Sequence, residues 1–120
     1  MTADFMATRV DGPATVTVTL SGELDIMTAP VCARQLGEAL SIVTRHRTLV
    51  IDLRGLEFLG VAGARVLFSV ARTCARIGAP MYVVADPDGA VRLVLAGLDE
   101  TGVLRILDSP ALVPTHEAKG

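Results

Sequence analysis

The chain has 120 residues, of which 51% are hydrophobic, and a formal net charge of −2. That length gives one domain with a sizeable core, expected over residues 1–114 with a polar tail at 115–120. The scattered basic residues argue against nucleic acid, and the lack of a long apolar run or a signal-peptide pattern argues against a membrane and for a soluble cytoplasmic protein.

In chain order, Phe5–Val10 is a first strand and Asp11-Gly12-Pro13 a turn. Thr15–Ser21 alternates Thr with apolar residues, a period of two that predicts a half-buried strand. The two strands form an antiparallel hairpin at a sheet edge. Gly22-Glu23-Leu24-Asp25 follows as a loop. Thr28 is placed as the N-cap of a first helix with Pro30 in its first turn, and Leu36, Ala39, Leu40 and Val43 form its apolar stripe.

Thr48–Leu53 is an unbroken apolar run apart from Asp52, which suits the centre of a parallel sheet. Arg54–Gly60 connects it to a second helix, expected over 61–77 and stopped by Gly78. Val66, Leu67, Val70, Cys74 and Ile77 should face the core, and Arg65, Ser69, Arg72 and Arg76 the water. Pro80–Ala85 is a further buried strand. Asp86-Pro87-Asp88 caps a third helix from Gly89 to about Leu95, ended by Gly97. Val103–Leu107 is a last strand, and Asp108-Ser109-Pro110 starts a final helical turn before a frayed tail from Thr115. Strand–helix alternation after a hairpin predicts an α/β fold. Its mixed sheet has about five strands, an antiparallel pair plus parallel strands joined by right-handed crossovers.

Catalytic constellations are absent from the sequence. His46 sits between two arginines at a helix end, and His116 lies in the tail. No serine occupies a nucleophile elbow, and no phosphate-loop pattern follows a strand. Gly60-Val61-Ala62-Gly63 opens a helix after a strand, a place that attracts anions, but it has no Lys and suits a tight turn better. Cys32 and Cys74 lack His or Cys neighbours for a metal and read as small buried hydrophobes, too far apart to pair. No enzyme activity, metal or cofactor is expected.

Several segments in order carry a resemblance. Leu20-Ser-Gly-Glu-Leu-Asp25, the helix opened by Thr28-Ala29-Pro30, Leu49-Val-Ile-Asp-Leu53, Leu56-Glu-Phe-Leu-Gly60 and Ala90–Leu98 resemble the STAS domain of anti-sigma factor antagonists. The resemblance implies a partner-switching module. Such a domain binds an anti-sigma factor, often a serine kinase, and so frees a sigma factor. The kinase then phosphorylates a Ser at the start of the second helix, and the domain lets go. A phosphate there adds roughly −1.5 to −2 charges in the middle of a binding patch. This chain departs from that pattern. The hydroxyl positions are held by Val61 and Ala62, so no phosphosite is expected; Ser69 and Thr73 lie two or three turns further on.

The resemblance places the partner surface on Gly60, Val61, Ala62, Gly63 and Arg65, with Ser21, Gly22, Glu23, Asp25 and Thr28 alongside. Both segments leave the carboxyl ends of parallel strands, where sites in open α/β sheets gather. Asp25 serves equally as a direct contact or a local cap, and Arg65 as a contact or a solvated side chain. Two other readings remain open: a scaffold that assembles with other STAS proteins in a stress-sensing complex, and a small-ligand or transport-accessory domain.

Overall fold

A computed structural model describes residues 4–99 and 101–114. The tail from Thr115, with His116, lies outside the described residues. The elements are β1 (Met6–Asp11), β2 (Thr15–Leu24), α1 (Ala29–Leu40), β3 (Thr48–Leu59), α2 (Val61–Ile77), β4 (Met81–Val84), α3 (Ala90–Leu98), β5 (Ile106–Leu107) and a 3-10 turn at Pro110–Leu112. They build a five-stranded sheet of order β1-β2-β3-β4-β5. β1 and β2 are antiparallel, and the other neighbours are parallel. The expected mixed α/β sheet is therefore present, with Thr48–Leu53 in its central strand.

The alternation in β2 does what its period predicts. Val16, Val18 and Leu20 are buried, while Thr15, Thr17 and Thr19 stay half-exposed on the opposite face. Leu49, Ile51 and Leu53 of β3 join the same core, which Cys32 and Leu36 of α1 and Leu67, Val70 and Cys74 of α2 complete. On the other face of the sheet, Val50 and Asp52 are buried as well, and with Pro110, Val113 and Pro114 they line an open cavity of about 240 Å³. Burial pushes the Cys32 thiol up to about 12 and the Cys74 thiol up to about 11, and both are free.

Several boundaries differ from the sequence reading: β1, α1 and β4 by a few residues, with Val43 buried beyond the end of α1, and others by more. β2 runs on through Gly22 and Glu23 to Leu24, where a loop was expected, and β3 runs on through the expected connection to Leu59. The cause is pairing between these two strands, which continues to Leu24 and Leu59 after β4 has stopped at Asp52. Two register shifts accommodate it. Thr19–Ser21 spans two steps where Asp52–Gly55 spans three, and Gly22–Glu23 spans one where Leu56–Phe58 spans two. Each bulge adds a residue to β3, so its core contacts fall at Leu53, Leu56 and Leu59, every third residue instead of every second.

The last strand shrinks to Ile106–Leu107 because the Asp99 carboxylate accepts from the N–H groups of Val103 and Leu104 and holds them out of the ladder. α3 continues past Gly97 to Leu98, and neither Asp86 nor Asp88 caps it: Gly89 precedes the helix with no side-chain cap, its N–H bonded to the Asp86 backbone carbonyl. Ile77, expected in the core, closes the last turn of α2 half-exposed; Ala79 and Met81, beyond the left-handed Gly78, fill the core there.

Candidate functional site

The prolonged β2 and β3 carry the site. At the end of β2 the chain turns into α1 through a network internal to residues 23–28. The Asp25 carboxylate accepts from the backbone N–H of Met27 at 2.9 Å and of Thr28 at 3.0 Å. The Thr28 hydroxyl donates to the Glu23 carbonyl at 2.9 Å and accepts from the Asp25 N–H at 2.9 Å. These bonds hold the Asp25 carboxyl below its ordinary value. The Thr28 N–H is the largest cause, outweighing desolvation, with the Thr28 hydroxyl and Met27 N–H adding to it. Thr28 is thus the first residue before α1 but no side-chain cap of it, contrary to expectation: its hydroxyl points back into the turn. Asp25 does the local capping.

At the end of β3, Gly60 precedes α2 with extended backbone. Its N–H donates to the Leu24 carbonyl at 2.9 Å and its carbonyl accepts from the Ala64 N–H at 3.0 Å, which joins the two strand ends to the helix. A Cβ on Gly60 would sit 3.3 Å from the Phe58 ring and 3.8 Å from the Asp25 Cα, so the turn, the ring and the helix start are in contact. Gly63 is buried, and a Cβ there would come within 2.4 Å of the Leu24 Cγ. It lets α2 approach β2 and offers nothing to a partner. Val61 is 52% exposed, Ala62 is half-buried and Arg65 is exposed one turn on.

The structure therefore brings Glu23, Asp25, Gly60, Val61 and Ala62 together around one tip. Ser21 and Gly22 sit lower, paired with Gly55 and Leu56 inside the sheet. Gly22 is buried with φ of 86°, and a Cβ there would lie 2.0 Å from the Asp4 carbonyl oxygen, so its role is to let the N-terminal strand cross. Sequence reasoning missed three exposed residues of the tip. Ile26 is 76% exposed, Met27 81% and Phe58 50%. The signal for the first two was an apolar pair directly after a turn-forming Asp. For Phe58 the sequence held no such signal, because the bulge at Glu57 sets the direction of its side chain.

The tip can do little covalent chemistry. Neither Val61 nor Ala62 carries a hydroxyl, and among the described residues no group of three His, Cys, Asp or Glu is placed to hold a metal ion. Among the described residues no helix is long and apolar enough to cross a membrane. What the tip offers is apolar surface with acidic neighbours, Glu23, Asp25 and Glu57.

The model of the STAS domain family matches residues 5–118, nearly the whole chain. The chain belongs to the STAS family. This STAS domain is 32% identical over 97 residues to the anti-sigma-F factor antagonist RsfB of Mycobacterium tuberculosis, an alignment covering 78% of this chain and 75% of the relative. Among solved structures it is similar to an anti-sigma factor antagonist from Mycobacterium paratuberculosis. That match has a TM-score of 0.72 and 30% identity, covering 90% of this chain and 89% of the other. The unphosphorylated anti-sigma factor antagonist SpoIIAA superposes with a TM-score of 0.65 at 19% identity over 90% of this chain and 91% of its own, a likeness of fold alone.

Proposed function

We propose that this STAS domain is an anti-sigma factor antagonist that acts by binding, not catalysis. It engages an anti-sigma factor in the cytoplasm through the tip formed by the β2–α1 turn and the start of α2, and so releases a sigma factor. The relatives named as antagonists support the role. The observation that carries the surface is that Ile26, Met27, Phe58 and Val61 are exposed on two segments that meet where Gly60 lies against Asp25 and the Phe58 ring. Large apolar side chains held on a rigid tip are what a protein interface uses as anchors, with a polar rim around them. Val61, Ala62, Gly60 and the rim residues Glu23, Asp25 and Arg65 form the contact. Gly63, Gly22, Ser21 and Thr28 shape it from below.

The same residues define its regulation. With aliphatic side chains at the start of α2, the domain stays competent to bind in the presence of kinase and ATP, so its abundance or another signal sets the output. The test is titration calorimetry of the chain against each anti-sigma factor of the source organism, before and after incubation with ATP, with intact mass recorded. Binding of one of them, unchanged by ATP and without added phosphate, is the expected result. Stoichiometric phosphate on Ser69, Thr73 or any other hydroxyl, with loss of binding, overturns the unswitched reading. Absence of binding to every anti-sigma factor overturns the antagonist role.

A further inference from the structure

A second surface lies away from the tip, along the groove between α1 and α2. Its floor and walls come from Ala33, Gly37 and Leu40 of α1 and Val66, Ser69 and Val70 of α2, around an open cavity of about 300 Å³. α2 is one-sided in charge: over Val61–Ile77 it carries Arg65, Arg72 and Arg76 and no acidic residue, in a chain whose net charge is −2. At 100° per residue the three guanidinium-bearing positions fall within an arc of about 40° on the solvent face. Arg65 itself lines the groove, and Arg34 stands on the exposed face of α1. The ion pairs among the described residues are Arg9–Asp11, Asp52–Arg54 and Arg92–Asp108, so none of these four arginines is neutralised by a carboxylate of the described chain. Glu38 is the one acidic residue on α1.

We propose that this groove docks an acidic amphipathic helix of a partner protein. The apolar floor takes the helix's hydrophobic stripe, and the arginine row takes carboxylates along its flank. Gly37 fits this use. A Cβ at that position would meet nothing within 4 Å, so the fold does not require a glycine there, and its absence of a side chain deepens the groove. A helix from a second copy of this chain does not suit it: α1 has one Arg and one Glu, α2 is wholly basic, and α3 carries Arg92 as its charged residue, so none of them is an acidic amphipathic helix. The inference goes beyond the proposed tip contact and does not depend on it.

The probe is a labelled synthetic peptide of about 18 residues, the length of α2, with Leu at i, i+3, i+4 and i+7 and Glu on the flanks. A matched peptide has Lys for Glu. Each is titrated into the full chain by fluorescence anisotropy, with backbone amide shifts followed by NMR. The acidic peptide should bind about tenfold tighter than the basic one or more, weaken with salt, and shift the amides of Ala33, Gly37 and Ser69. Gly37→Trp should block it with the melting temperature unchanged. The double variant Arg72→Glu, Arg76→Glu should reverse the preference, whereas Val61→Glu at the tip should leave it intact. Equal affinity for the two peptides, no binding of the acidic one, shifts confined to residues 58–62, or binding that survives Gly37→Trp each overturn the proposal.

Discussion

The two halves of β3 make an instructive contrast. The inner half, Thr48–Leu53, lies between β2 and β4 and is buried along its whole length. The outer half, Arg54–Leu59, has β2 alone for a neighbour, and its burial falls to every third residue. One continuous strand thus serves first as the middle of a core and then as a projecting two-stranded support. The inner half spends its side chains on packing and has none to offer a partner. The outer half keeps Leu56 and Leu59 for anchorage and turns Glu57 and Phe58 outward. Substitutions in the inner half should therefore report on stability, and those around the outer half on binding.

The largest effect is expected from Ile51→Ala in the inner half. The side chain is fully buried, and its removal should cost about 2–5 kcal/mol in urea unfolding. A loss below about 1 kcal/mol would mean that the central strand is not the packing centre. Gly63→Ala tests how the outer half is fastened to α2. The added methyl meets Leu24, which is itself fully buried, so about 1–3 kcal/mol should be lost and the tip displaced. An unchanged unfolding midpoint would show that α2 does not press on β2 there.

Asp52 and Arg54 stand at the joint. Burial works to raise the Asp52 carboxyl, but the Arg54 guanidinium, 2.8 Å from Oδ2, and the Arg54 N–H outweigh it and hold it below the usual 3.8. A lowered folded pKa gives stability that is present above the unfolded value and is lost as pH falls through the lower folded value. Arg54→Gln should therefore destabilise the chain at neutral pH, and its difference from the wild type should close as pH drops below about 3.8. A difference independent of pH would assign Arg54 a packing role instead. The smallest stability effect belongs to Phe58→Ala in the outer half. Half-exposed at the tip, it should change unfolding by less than about 0.5 kcal/mol while weakening partner binding in calorimetry. The reverse pattern would erase the distinction between the halves.

Much of this contrast was legible in the residues. The apolar run of Thr48–Leu53 announces a strand covered on both faces, the Thr alternation of β2 announces one covered on a single face, and Gly78 stops α2 in the left-handed conformation such a stop requires. The outer half was not legible as strand. Gly22, Arg54 and Gly55 interrupt the apolar pattern, yet backbone pairing persists through them, and two bulges change the burial period from two to three. Periodicity reads side chains, and here the main chain holds the structure.

The placement of the candidate residues was legible in part. Gly60, Val61 and Ala62 open α2 as expected, with Gly60 beside Asp25. Gly63 and Gly22 turned out to be places where another chain segment comes too close for a side chain. The exposure of Ile26, Met27 and Phe58 escaped detection because an apolar residue in sequence argues for burial. Only the fixed turn of Asp25 and Thr28, and the bulge at Glu57, turn them toward solvent.

The central claim is that the apolar tip is an interface and not part of the core, and Val61→Glu tests it most directly. Calorimetry against the cognate anti-sigma factor and thermal unfolding are measured on the same sample. The account predicts binding abolished and a melting temperature within a degree or two of the wild type, roughly what an exposed surface substitution does. Binding at wild-type affinity by a folded Val61→Glu chain would contradict it and move the interface elsewhere on the molecule.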